Sequence, residues 1–231
     1  MGHILAGKVG AIIVAAGSSR RMGNIDKMFA EVGGIPILAR SVDVFNQCPL
    51  VHEIAIVLSE FNIDRGRRLL EKGSWSKVAA VCLGGERRQD SVREGLKRLS
   101  GCQWVVIHDG ARPFVSADLI ERGLAEAQES GAAVCAVPVT DTIKVVGMDN
   151  HVLKTPARES LWMAQTPQVF RFDIIERAHK QAEGEVTDDA TLVERLGYKV
   201  KVYLGSYENI KITTLQDLAL AEIMLKEREQ R

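Results

Sequence analysis

The 231-residue chain carries 30 basic and 30 acidic residues, a formal net charge of zero, with 46% hydrophobic and 26% charged side chains. That is enough apolar material for a sizeable core, and the balance of charge argues against a nucleic-acid or membrane partner held by a bulk field. No apolar run approaches the roughly 20 residues of a membrane span; the one short apolar stretch, Val9 to Ala16, runs straight into a Gly/Ser/Arg loop, so it is read as a buried first strand and not as the core of a signal peptide.

In chain order, Val9–Ala15 is the first expected strand, and Pro36–Gln47 a helix with proline in its first turn. Glu53–Ser59 is the second strand, followed by a helix over Ile63–Lys72 that stops at Gly73. Val78–Leu83 is the third strand, and Ser91–Leu99 a helix that Asp90 is placed to cap. Trp104–His108 is the fourth strand; Ser116 caps a helix running to Ser130, closed by Gly131; and Ala132–Val137 is the fifth strand. This alternation predicts an α/β fold with a mostly parallel sheet flanked by helices.

The rhythm then changes. Thr142–Val146 and His151–Thr155 read as two strands joined by Gly147-Met148-Asp149-Asn150, a hairpin inserted into the alternating pattern. It fits an edge hairpin as well as an arm reaching a second subunit. Helices over Phe172–Ala182 and Asp188–Leu196 and a strand over Lys199–Leu204 follow. A last helix starts at Thr214 with Asp217 in a capping-box arrangement. Leu215, Leu218, Ala219 and Leu225 mark its expected buried face, with Glu222 in mid-stripe and no evident partner. Without repeats or linkers, residues 1–231 are expected to form one domain, with an arm at about 138–160.

Cys48, Cys82, Cys102 and Cys135 are far apart, with no C-x-x-C and no clustered histidines. They read as reduced core residues of a cytoplasmic protein, not zinc ligands.

The strongest chemical signal is Ala15-Ala16-Gly17-Ser18-Ser19-Arg20-Arg21-Met22-Gly23 with Lys27 close behind. Small residues at a strand end let backbone N–H groups approach an anion. Arginine adds a fork of donors matched to phosphate oxygens, and lysine a point charge. The spacing is neither G-x-x-x-x-G-K-[ST] nor G-x-G-x-x-G, which excludes a Walker loop and the fingerprint of an NAD-dependent dehydrogenase. A solvated basic turn would share the composition, but the loop's place at the carboxyl end of the first strand favours ligand binding. Gly85, Glu86 and Ser91 flank a strand end and a helix start, suited to a base edge or a phosphate, although helix capping, which Asp90 alone could supply, shares the pattern. Asp109 ends the fourth strand, as a ligand of substrate or metal or as a cap; His108 is taken as structural, since no nucleophile or G-x-S-x-G accompanies it.

The loop pattern A-A-G-x-x-x-R-M followed by lysine resembles that of sugar-nucleotide pyrophosphorylases and cytidylyltransferases. Gly84-Gly85-Glu86-x-Arg88-x-Asp90-Ser91-Val92, His108-Asp109-Gly110-Ala111-Arg112-Pro113, Asp141-Thr142-Ile143-Lys144, Leu161-Trp162-x-x-x-Thr166-Pro167-Gln168, Thr187-Asp188-Asp189-Ala190 and Asn209-Ile210-Lys211 narrow it. In this order, over nearly the whole chain, they resemble the 2-C-methyl-D-erythritol 4-phosphate cytidylyltransferases.

The resemblance implies a Rossmann-like nucleotide-diphospho-sugar transferase fold and a homodimer formed through the β-arm. It implies transfer of CMP from CTP to methylerythritol phosphate, with Mg²⁺ carried mainly by the CTP phosphates and no metal site of protein ligands alone. Arg21 and Lys27 are then catalytic, joined by Arg158 and Lys211 as the basic pair that positions the acceptor phosphate. Ala15, Ala16, Gly17, Gly85, Glu86 and Ser91 become CTP contacts, and Asp109 a substrate or metal contact. Arg112 and Thr142 become acceptor contacts across the dimer, Thr166 and Thr187 further hydroxyl contacts, and Arg88 a support for its loop. Ribitol 5-phosphate cytidylyltransferase shares the fold and most motifs and stands as the alternative; a nucleotide-binding protein without chemistry is more distant. Three positions depart from the family pattern: Asp26-Lys27-Met28, where Asp26 could pair with Lys27 or hold a metal; Glu208 in place of aspartate; and Gly110 in place of alanine.

Overall fold

The computed structural model describes residues 7–17, 22 and 26–230. The chain runs β1 (Val9–Ala15), β2 (Glu31–Val32), β3 (Ile35–Pro36), α1 (Ile37–Gln47), β4 (Glu53–Leu58), α2 (Ile63–Lys72), β5 (Val78–Leu83), α3 (Arg88–Leu96), β6 (Trp104–Asp109), α4 (Ala117–Ser130) and β7 (Ala132–Pro138). It continues through a short hairpin, β8 (Val145–Val146) and β9 (Val152–Lys154), a 3₁₀ turn at Arg158–Ser160, β10 (Trp162–Arg171), α5 (Phe172–Lys180), α6 (Asp189–Arg195), β11 (Lys201–Leu204) and α7 (Leu215–Glu229).

The central sheet has the order β11-β7-β10-β6-β1-β4-β5. β1 pairs in parallel with both β4 and β6, β4 with β5, and β7 with β11, whereas β10 is antiparallel to both of its neighbours. The middle strands are buried along their whole length, as expected of a sheet covered on both faces. One core cluster packs α1 and α4 on one face, and a second packs α3, α5 and α6 on the other. The chain leaves β1 for β4 and β5, then returns to β6 on β1's other side. The crevice beyond the carboxyl ends of β1 and β6 is therefore a topological switch point, where open α/β sheets bind ligands.

Several expected boundaries are observed, including β1, α2, β5 and α4. Ser116 accepts the Leu119 N–H at the start of α4, and Gly131 closes that helix with φ of 80°. Other expectations need correction. α3 starts at Arg88, not Ser91. Asp90 lies inside its first turn, where its carboxylate takes the Arg87 backbone N–H (3.3 Å) and guanidinium instead of capping from outside. The arm's strands are shorter than the alternation suggested. On α7 the buried side is Leu218, Ala221, Met224 and Leu225, which join Met22, Val32, Phe114 and Ile212 in a third small core; Leu215 and Ala219 face outward. Glu222 has a partner after all: it accepts the Gly33 N–H at 2.9 Å, tying α7 to the β2–β3 turn.

β10 was not expected. Its segment carries Pro167 among Gln165, Thr166 and Gln168, which argues against an interior strand. The register shifts between Ala164 and Gln168 accommodate it, and the buried polar side chains find hydrogen-bond partners.

Candidate functional site

At the switch point lies a cleft of about 310 Å³. Of the residues nominated from sequence, Ala15, Ala16, Gly17, Lys27, Gly85, Glu86, Ser91, Asp109 and Lys211 line it, together with Arg87 and Arg88. One wall is the exit of β1. A Cβ on Gly17 would lie 3.7 Å from the Lys27 Nζ, so the ammonium sits over that glycine. Opposite is the turn between β5 and α3. A Cβ on Gly84 would come within 2.5 Å of both the Ala16 Cβ and the Ser91 Oγ, so only glycine lets the two walls approach this closely.

Lys27 is carried on a compact turn. Asp26 Oδ1 accepts the Met28 N–H at 2.9 Å and its carbonyl accepts from Phe29 and Ala30, while the Met28 side chain is buried in the core. The carboxylate of Asp26 is thus used in the turn that presents Lys27.

The floor is a cluster of charges around Asp109. Its Oδ1 accepts from Arg88 Nε at 3.0 Å and its Oδ2 from Lys211 Nζ at 2.7 Å, and the Arg112 guanidinium is 3.9 Å away. Burial works to raise the Asp109 pKa, but Arg88, Lys211 and Arg112 outweigh it and hold the carboxyl far below the usual range. Arg88 continues to Asp189, where Nη1 donates to Oδ2 at 2.6 Å. Burial works against its charge, yet the two carboxylates raise its pKa overall.

Beneath this cluster Thr166, nominated as a substrate contact, is buried. Its Oγ accepts the Asp109 backbone N–H at 3.0 Å and lies 3.0 Å from His108 Nδ1. His108 Nε2 faces the Arg112 carbonyl at 3.2 Å, so both ring nitrogens are used by a neutral imidazole. Arg112 points inward, with Nη1 donating to the Asn209 carbonyl at 2.7 Å and its side chain only 11% exposed. Thr142, Thr187 and Arg158 are exposed and stand apart from the cleft; Arg158 Nη1 donates to the Thr140 carbonyl. Arg21 lies outside the described residues. Glu208 Oε2 accepts from both Nε and Nη2 of Arg228 on α7, at 3.0 and 2.6 Å, which anchors the segment leading to Lys211.

Burial lowers the His108 pKa from 6.5 to about 3, overriding the pull of Asp109. Because the folded value lies below the unfolded one, the unfolded chain takes up this proton first on acidification. Stability from this group is complete above about pH 6.5 and is lost as pH falls toward 3. Between about pH 7 and about pH 4.5 it should account for roughly 2–3 kcal/mol of lost stability. Urea unfolding at the two pH values, for the parent and for His108→Asn, measures it; an equal pH dependence in both would show that His108 does not contribute.

Arg88, expected only to support its loop, lines the cleft and pairs with Asp189, a residue not among the expected site residues. The available signal was the Thr187-Asp188-Asp189-Ala190 block, in which the second aspartate falls one residue inside the expected helix start.

A mostly parallel sheet with a cationic, glycine-walled cleft at its switch point makes this an α/β protein of the class that binds an anionic, phosphate-bearing ligand beyond its strand ends. The family model described as 2-C-methyl-D-erythritol 4-phosphate cytidylyltransferase (IspD) matches residues 9–227, and the chain belongs to that family. A Dehalococcoides mccartyi relative of that name is 52% identical, covering 95% of this chain and 96% of its own. One from Geobacter metallireducens is 46% identical, with 94% and 97% covered. Among solved structures, 4-diphosphocytidyl-2C-methyl-D-erythritol synthase from Anaerococcus prevotii superposes with a TM-score of 0.85 at 35% identity, over 95% and 96% of the two chains. The 2-C-methyl-D-erythritol 4-phosphate cytidylyltransferase of Thermus thermophilus does so at 0.76 and 34%, over 95% and 99%.

Proposed function

We infer that the chain transfers CMP from CTP to 2-C-methyl-D-erythritol 4-phosphate, giving 4-diphosphocytidyl-2-C-methyl-D-erythritol and pyrophosphate, a step toward isoprenoid precursors. The observation that carries this reading, beside membership of the family, is the cleft lined by Lys27 at the β1 exit and by Lys211 at its floor. A phosphate oxygen of the acceptor forms the new bond to the α-phosphorus of CTP, the bond from that phosphorus to the β-phosphate bridging oxygen breaks, and pyrophosphate leaves with the electron pair. A phosphate monoester is already ionised, so no protein base is required; the obstacle is the meeting of two anions, which positioning and fixed positive charge overcome.

In this reading Ala15, Ala16, Gly17, Gly85, Glu86 and Ser91 receive the nucleotide, and Lys27 with Arg21 neutralises charge on the triphosphate. Lys211 and Asp109 face the acceptor, with Arg112 and Thr166 setting their geometry from below. Among the described residues no group of three or more His, Cys, Asp or Glu side chains is placed to hold a metal. The cleft carboxylate Asp109 already faces three cations. That donor set fits a Mg²⁺ held mainly by the triphosphate, as is usual for an ion that keeps several waters, and the ion would supply charge neutralisation there.

Thr142 and Arg158, both in the arm segment, join a site if the arm reaches a second copy, and Thr187, ahead of α6, remains a hydroxyl contact by resemblance alone. The arm leaves Val145, Val146, Met148, Val152 and Leu153 exposed, which supports a homodimer built through it. Sedimentation returning a monomer at assay concentration would remove this part. The four cysteines are free and buried, in keeping with a reducing cytoplasm, and no helix of the described residues is long and apolar enough to cross a membrane.

Pyrophosphate release by the purified chain with CTP and Mg²⁺ tests the reading. Release with methylerythritol phosphate well above that with ribitol 5-phosphate is expected. The reverse preference would assign the ribitol acceptor, and release with neither would overturn the transferase reading.

A further inference from the structure

Asp189 is completely buried at the start of α6, yet it carries charge. Both of its oxygens are held: Oδ2 accepts from Arg88 Nη1 at 2.6 Å, and Oδ1 lies 3.0 Å from His179 Nε2. Burial works to raise its pKa, but Arg88 and His179 bring it below the usual value. A buried ion pair is a poor way to gain stability, because desolvation consumes most of the attraction. The arrangement therefore calls for another explanation, and the geometry of Arg88 supplies one.

The guanidinium is a rigid planar fork, and its arms end on two different carboxylates: Nη1 on Asp189 and Nε on Asp109. Asp109 in turn gives its second oxygen to Lys211. A fixed line of contacts thus runs from the core to the cleft, His179–Asp189–Arg88–Asp109–Lys211. Its inner end is registered against the strand pair that carries Asp109. Asp188, next to Asp189, accepts from Gln168 Nε2, Gln168 Oε1 accepts the Ala190 N–H, and Gln168 on β10 pairs with Ile107 on β6.

We propose that Asp189 is a positioning residue of the transfer reaction: it holds Arg88 from behind, so that Arg88 takes only one oxygen of Asp109 and leaves the other to orient the Lys211 ammonium in the cleft. This rests on the reading of Asp109 and Lys211 as acceptor contacts. With a neutral side chain at 189, Arg88 has a single carboxylate left to satisfy it and closes on both oxygens of Asp109. Lys211 then loses its anchor. Asp189 itself lines no part of the cleft, so Asp189→Asn leaves the residues that receive CTP in place.

The test is a double-mutant cycle in steady-state kinetics with Asp189→Asn, Arg88→Lys and the double variant, run well below each melting midpoint. Lysine keeps the charge but replaces the rigid fork with one compact ammonium, which cannot place donors where both Nε and Nη1 stand. Each single variant is expected to lower kcat/KM for the acceptor about 10- to 100-fold, the range typical of outer-shell partners, with KM for CTP changed less than about threefold. The double variant should lose no more than the worse single one, because both changes remove the same bridge. A folded Asp189→Asn enzyme with an unchanged acceptor kcat/KM, or losses that multiply in the double variant, overturns the proposal. Where Asp189→Asn does not fold, Arg88→Lys decides alone: unchanged acceptor kinetics overturn it, and a loss confined to the acceptor supports it. A parent enzyme inactive with both acceptors would instead count against the transferase reading.

Discussion

Replacing Lys27 with alanine lowers kcat by at least about 10²-fold, the scale measured when one preorganised donor is removed from a site of developing negative charge. Three features of the structure make the effect large and local. The ammonium sits over Gly17, at the point where β1 delivers backbone N–H groups to the cleft. Its turn is held by Asp26 Oδ1 and by the buried Met28, so the backbone that carries the side chain is fixed at the edge of the cleft. The side chain itself is not part of the core, and the fold should survive its removal. Lys27→Arg is expected to restore little, because a planar fork does not occupy the space of a compact point charge above a glycine. Pyrophosphate release under saturating CTP measures both variants; turnover within a few-fold of the parent would remove Lys27 from the catalytic set. Arg21→Ala is expected to fall as far, on the ground of the motif alone.

How much of this was legible in the sequence depends on the range of the interaction that decides each element. β1, α2, β5 and α4 are set by local signals: an apolar run, a glycine stop, a serine cap. Residues of the cleft wall were legible for the same reason, since Ala15 to Gly17 and Gly85 to Ser91 follow strand ends, and strand ends are where such sheets bind. β10 was not legible, because its polar side chains are made compatible with burial by partners such as His108, Asp188, Ser206 and Asn209, each remote or on another element. The face of α7 was misjudged for a related reason. That helix is apolar nearly all round, so periodicity could not choose a side, and the choice fell to the third core and to Glu222 meeting the Gly33 N–H. Arg88 and Asp189 are 101 positions apart, and no local pattern marks the second as the partner of the first.

Phe45→Ala should have the largest effect on stability, about 3–5 kcal/mol, the usual cost of emptying an aromatic site in a well-packed core. Phe45 is fully buried on α1, in the cluster that fills one face of the sheet. Its ring stands 5.1 Å from that of His108, and one turn earlier Ser41 donates to the Gly110 carbonyl at 3.2 Å. α1 therefore supports the exit of β6 from below, and the dry environment that keeps His108 neutral is partly made by this ring. A cavity at position 45 large enough to admit water would ease the desolvation of His108 and move its pKa back up toward 6.5. The two consequences can be read separately. Urea unfolding at neutral pH gives the loss of stability, and a loss below about 1 kcal/mol would mean that the core closes around the gap. The pH dependence of stability then reports His108: with its folded pKa nearer the unfolded value, the acid-side loss expected of the parent becomes shallower in the variant. Turnover well below the melting midpoint should change far less than in Lys27→Ala, because Phe45 packs in the scaffold under Asp109 and is not itself a residue of the cleft lining.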